Sequence, residues 1–252
     1  MLVSDAFNSI LLRGFILAGL AITIASDCTA TRADAPQPDA SPRVALIIAN
    51  GSHVRRDEDP VILNARSLAD SLRNAGFVVT IAENTTDKKM ELAFYDFFEA
   101  VPRDAMAIVY FAGRGGIVHG QLLPFPTNMS PLGLPPSNNL SDLMSALAAK
   151  KIRGALWLID AQFTQHFGNE ALHIRVPSKT IIAFASMLHG RTAEAGRFGS
   201  YLANGIRSGV PGIYELLVQT RMEVLKHSAG KQNPWEIYNA PPEIWAGAFR
   251  SR

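Results

Sequence analysis

Few side chains in this sequence are able to do covalent chemistry. The chain of 252 residues has one cysteine, Cys28, and six histidines. Cys28 lies in the N-terminal segment, so a thiolate nucleophile exists only while that segment stays attached. The histidines show neither H-x-x-x-H nor H-E-x-x-H spacing, and a lone cysteine cannot anchor zinc, so neither a metal site nor a cofactor is predicted. Gly113-Arg114-Gly115-Gly116 is rich enough in glycine to suggest a phosphate cradle. It lacks the G-x-x-x-x-G-K-[ST] pattern and no helix follows it, so that reading is set aside. What remains is hydroxyl chemistry. Ser186 or Thr164 would attack, with His189 as the base. The plainer reading competes with it, because lone loop hydroxyls and histidines usually face solvent or shape turns. His119, near a hairpin tip, is expected to point away.

The elements that must hold these residues alternate in type. Arg43 to Ala49 (RVALIIA) is almost wholly apolar and reads as a buried strand. Pro60 to Ala75 reads as a helix with Leu68, Leu72 and Ala75 on one face and Gly76 as its stop. Strands follow at Phe77–Ala82, Ala105–Ala112, Ala155–Ile159 and Thr180–Ala185. A helix capped by Thr86 or Asp87 is expected to reach about Val101, with Leu92, Ala93, Tyr95 and Phe98 inward. Gly113 to Gly116 is expected to be a tight turn, and Gly115 to Leu123 a hairpin turning near His119-Gly120. Further helices are expected from a Ser141 cap to Lys151, over Phe198–Arg207 and over Ile213–His227, with a last strand near Ile244–Phe249. Strands alternating with helices imply a mostly parallel sheet covered on both faces. Sites in such sheets lie beyond the carboxyl ends of the strands. The loops of interest are therefore 50–59, 113–116, 160–165 and 186–197.

Composition narrows the function classes. The formal charge is +2 with 18% charged residues, and basic residues occur only in short pairs such as Arg55-Arg56, so nucleic acid is not an expected partner. The apolar run Phe15 to Ala25, preceded by Arg13 and followed by small residues, has the grammar of a signal peptide. It is short for a membrane span. Residues 1–30 read as the signal, with cleavage near Ala30 or Ala33, residues 31–42 as a proline-containing linker, and 43–252 as one domain. The expected location is periplasmic or secreted, with no stable membrane span once the signal is gone. The alternative is an uncleaved N-terminal anchor. Cleavage would remove the only thiol.

Five segments in order carry a resemblance: RVALIIAN at 43–50, ARSLADSLRNAGFVVT at 65–80, AIVYFAGRGG at 107–116, LWLIDAQ at 156–162 and GKQNPWE at 230–236. Together they resemble the bacterial caspase-like peptidases, the metacaspase and orthocaspase group. The resemblance implies a three-layer α-β-α fold of the caspase-hemoglobinase type, with a mostly parallel six-stranded sheet and helices on both faces. In that family Y-F-A-G is followed by the catalytic His, and D-A by the Cys nucleophile. Here Arg114 and Gln162 occupy those places. A guanidinium does not give up its proton to become a base, and a carboxamide is not a nucleophile. The catalytic dyad is therefore expected to be degenerate and the chain a pseudo-peptidase. The alternative is an endopeptidase rewired through Ser186 or Thr164 with His189.

A remnant substrate groove is implied by Asp160, Asn64, Ser186 and His189. Asp160 matches an acid of the family's specificity pocket, while Asn64 stands where the second acid belongs. Asp160 is expected to pair with Arg114. Trp157 reads as core, and Trp235 as the residue packing the C-terminal helices onto the sheet. The expected partner is a protein or peptide, and no cofactor is expected; the oligomeric state is not legible from the sequence.

Overall fold

The computed structural model describes residues 41–51, 59–129, 139–167, 172–186 and 196–249. The signal, the cleavage sites, Cys28 and His189 lie outside the described residues. The elements run β1 (Arg43–Ala49), α1 (Pro60–Asn74), β2 (Val78–Glu83), α2 (Asp87–Ala100), β3 (Met106–Val118), β4 (Gln121–Pro124), α3 (Leu140–Ala149), β5 (Gly154–Phe167), β6 (Thr180–Phe184), α4 (Arg197–Arg207), α5 (Ile213–His227) and β7 (Trp235–Asn239). A 3₁₀ turn, Pro242–Trp245, follows.

Six strands form one path in the order β2-β1-β3-β5-β6-β7, and β4 pairs with β3. The β1, β2, β3, β5 and β6 pairings are parallel, while β4 and β7 are antiparallel to their neighbours. Strand side chains alternate between faces. Ala45 and Ile47 join the core under α1, α4 and α5, whereas Leu46 and Ile48 join the core under α2 and α3. The three-layer fold expected from the sequence is the fold observed. Trp157 is fully buried against Phe94, as its strand position predicts.

Capping explains the helix starts. Asp59 accepts from Val61 N ahead of α1, and Thr86 accepts from Lys89 N at α2. Asn139, not Ser141, caps α3 by accepting from Asp142 N; Ser141 lies one residue inside the helix. In α2 the buried face is Met90, Phe94, Phe97 and Phe98, with Leu92 and Tyr95 exposed. The four bulky side chains at 90, 94, 97 and 98 give the wider apolar stripe, and they set the helix's rotation.

Two expected loops are strand. Gly113–Gly116 lies inside β3, and β5 continues to Phe167. The two strands form a ladder along their whole length, with one register shift at Gly115/Gly116. Only the backbone ladder reveals this, because the glycines interrupt the apolar pattern while still pairing. The hairpin turn falls at His119 and Gly120, as predicted, with φ of 47° and 72°; two positive φ values suit the twist of a two-residue hairpin. The last strand is β7, not Ile244–Phe249. Pro241, Pro242 and Gly247 leave no run for a ladder there, and Trp245 and Phe249 are buried in the core instead. Trp235 sits on β7, stacked 4.5 Å from Phe184 on the face opposite α4 and α5, so it does not clamp those helices.

Gly113 has φ 152°, and a Cβ there would stand 2.9 Å from the Asn50 carbonyl oxygen. Gly113→Ala is therefore expected to cost about 1–3 kcal/mol. A thermal melt unchanged from wild type would show that the β1–β3 crossing tolerates a side chain.

Candidate functional site

The site grows from the carboxyl ends of β3 and β5. Their register sets Ala112 beside Asp160 and Arg114 beside Gln162. Two residues 48 positions apart in sequence are thus made direct cross-strand neighbours. Arg114 is exposed and Gln162 half-buried. The arrangement sets a permanent cation against a neutral amide. Neither accepts a proton or attacks a carbonyl at working pH.

Asp160 lies behind them, only 1% exposed. The expected ion pair with Arg114 is not formed. Instead the Tyr110 hydroxyl donates to Asp160 Oδ2 at 3.0 Å, and the Gly199 backbone N–H donates to the same oxygen at 3.1 Å. Gly199 is in the first turn of α4, where N–H groups lack intrahelical partners and favour negative charge. Both donors fall on Oδ2, reached from inside the fold, while Oδ1 is buried without a hydrogen-bond partner among the described residues and Arg114 is exposed. Burial pushes the Asp160 carboxyl up to about 6, and the Gly199 N–H and Tyr110 hydroxyl oppose that rise. Burial, with the carboxylate beside it, also pushes the Tyr110 phenol well above its ordinary range. A Cβ on Gly199 would fall 2.3 Å from the Tyr110 hydroxyl oxygen, so this contact requires glycine.

Asn64 is half-buried on α1 and approaches the same helix end, since a Cβ on Gly196 would lie 3.3 Å from its Nδ2. Asn64 and Asp160 thus both lie at the start of α4. Ser186, just past β6, is 7% exposed, and its carbonyl oxygen accepts from Trp235 Nε1 at 3.1 Å. The Ala185 N–H donates to the Ile159 carbonyl, which places Ser186 next to the Asp160 strand end. Thr164 lies within β5, four residues past Asp160. His119 is exposed at the hairpin turn.

Sequence reasoning missed Tyr110 and Asn50. Tyr110 falls inside the Ala105–Ala112 strand run, where a buried phenol requires a hydrogen-bond partner, and that requirement was the available signal. Asn50, 6% exposed, accepts from the Thr85 N–H at 2.8 Å and hydroxyl at 2.9 Å, and donates to the Phe125 carbonyl at 3.0 Å. It pins the end of β1 to the loops before α2 and after β4. Among the described residues no cluster of acids and histidines is suited to a metal ion.

A mostly parallel sheet between two helical layers, with polar side chains gathered at the carboxyl ends of its central strands, defines a doubly wound α/β domain with a strand-end site. The family follows from comparison: a family model of the caspase domain matches residues 42–242, and the chain belongs to that family. Among solved structures, pro-sf-caspase-1 aligns with a TM-score of 0.55 at 19% identity, covering 79% of this chain and 92% of that one. Caspase-1 from Spodoptera frugiperda aligns with a TM-score of 0.55 at 18% identity, covering 79% and 89%. At such identities the likeness is one of fold. No curated protein matches the chain by sequence. Caspase-fold homologues are cysteine peptidases.

Proposed function

We propose that this chain is an exported, non-proteolytic member of the caspase family that binds a protein or peptide partner and regulates an active relative. The observation that carries the reading is the pairing of Arg114 with Gln162 across β3 and β5. These are the positions where the resemblance places a proton-shuttling histidine and a cysteine nucleophile. A cation replaces the first and a carboxamide the second, so neither half of the chemistry has a substitute. Cys28 lies in the segment read as a signal peptide, so the mature chain is expected to lack a thiol. Export, to the periplasm or beyond the cell, rests on that same segment. Burial of Ser186 weighs against a rewired hydroxyl nucleophile.

The test uses purified full-length chain and fluorogenic peptides with Arg, Lys or Asp before the scissile bond, with and without calcium. No turnover is expected, and no covalent acyl adduct by intact mass. An adduct on any residue, or turnover abolished by Ser186→Ala, would overturn the proposal. A cross-linked pull-down from the native envelope is expected to recover a specific protein partner.

A further inference from the structure

Among the described residues the sheet ends at β2, which pairs there with β1 alone. Its run Val78-Val79-Thr80-Ile81-Ala82 carries no charge and no proline, and its ladder with β1 has no bulge. Edge strands of monomeric proteins usually carry such devices, because an open edge is a template for pairing with another chain. Val78 is 73% exposed. Val78 and Thr80 pair with Val44 and Leu46, which places them on the α2 side of the sheet. There a groove of about 470 Å3 opens between Thr80 and the Lys89, Leu92, Ala93, Asp96 and Ala100 stripe of α2. Leu92 on this stripe is 45% exposed, and Tyr95 beside it is 62% exposed.

The charge pattern on α2 says what fits. Lys89 and Asp96 are two turns apart, about 10 Å along the axis, with Leu92 and Ala93 midway between them. Both charged side chains are exposed, and neither has an ion-pair partner among the described residues. A helix with a cation and an anion set symmetrically about an apolar centre is complementary to its own copy laid antiparallel. Lys89 of one copy then meets Asp96 of the other, twice, around a Leu92–Leu92 contact. Such a contact is isologous, closing as a twofold dimer.

We propose that the β2–α2 edge is the interface of a homodimer, with α2 antiparallel to its mate about a twofold axis at Leu92 and the β2 edges alongside. One helix and one strand per copy make a small interface, so the dissociation constant is expected in the micromolar range. Sedimentation of the full-length chain from about 1 to 100 µM should show a monomer–dimer equilibrium. Leu92→Glu should leave monomer throughout that range. Asp96→Lys and Lys89→Asp should each weaken the dimer by about tenfold or more, since each sets like charges together. The chain carrying both changes should return to within about threefold of wild type, because the complementarity is restored with its sign reversed. All three positions are exposed, and a melting curve for each variant checks that it folds. A wild-type chain that stays monomeric overturns the proposal. So does a dimer unmoved by the single reversals, or one that the double reversal fails to rescue.

Discussion

Arg114→His combined with Gln162→Cys is expected to confer a peptide-bond cleavage that the unaltered chain, on the function proposed above, lacks. The argument is geometric. The β3–β5 register holds the two positions as direct neighbours, so an imidazole and a thiol placed there would stand side by side. Neither change alone suffices. Arg114→His supplies a proton shuttle with nothing to activate. Gln162→Cys supplies a thiol beside the Arg114 cation, which favours the thiolate, so this variant should alkylate readily with iodoacetamide. It should not turn over, because a guanidinium cannot deliver a proton to the leaving amine. The double variant should exceed either single variant in peptide cleavage by roughly 10²–10⁴-fold, the usual worth of a positioned acid–base. Preference for Arg and Lys should be weak, because Asp160 is buried and already bonded to Tyr110 and Gly199, and Asn64 brings no charge. Cleavage no greater than that of Gln162→Cys alone would remove these positions as the dyad seats.

Asp160 is expected to give the second large effect, on stability. Its carboxyl is raised from 3.8 to about 6 in the fold, first by burial. The sign follows from linkage. Below pH 4 the group is protonated in folded and unfolded chains alike, and its contribution to stability is complete. As pH rises the unfolded chain ionises first, and that contribution is lost by about pH 6. The loss amounts to about 3 kcal/mol, or roughly 6–12 °C in Tm for a domain of this size. Asp160→Asn keeps an oxygen to accept from Tyr110 and Gly199 but carries no charge. Its Tm, relative to wild type, should therefore climb between pH 4 and pH 7. Asp160→Ala should fall below Asp160→Asn at every pH by about 2–4 kcal/mol, since it strands the Tyr110 hydroxyl and the Gly199 N–H. Parallel pH curves for wild type and Asp160→Asn would show that the buried carboxyl titrates normally.

Much of the scaffold was legible because its signals are local. β1, α1, α4 and α5 follow directly from apolar period and stop residues, and the His119-Gly120 hairpin from its turn chemistry. Errors arose where a distant partner decides. β3 and β5 run on through glycine and polar residues because each supplies the other's ladder. The rotation of α2 is set by Phe94, Phe97 and Phe98 meeting the sheet, so Leu92 and Tyr95, plausible core residues on paper, face outward. The Arg114–Asp160 pair failed for a related reason. Adjacency at strand ends suggested attraction, but desolvating a guanidinium is costly, and the start of α4 offered Asp160 a nearer donor.

Residue identity and local period are properties of the chain, and they were enough to specify most of the alternating strands and helices and the caspase resemblance, with an arginine and a glutamine at the two places where that resemblance expects the dyad. Register, burial and hydrogen-bond partnership belong to segments that meet only after folding. Hence the folded protein alone decided that Arg114 stands beside Gln162, and that Asp160 bonds a tyrosine 50 positions before it and a glycine 39 positions after it. A buried carboxylate takes the donor that packing brings within reach, and no local pattern records which donor that will be.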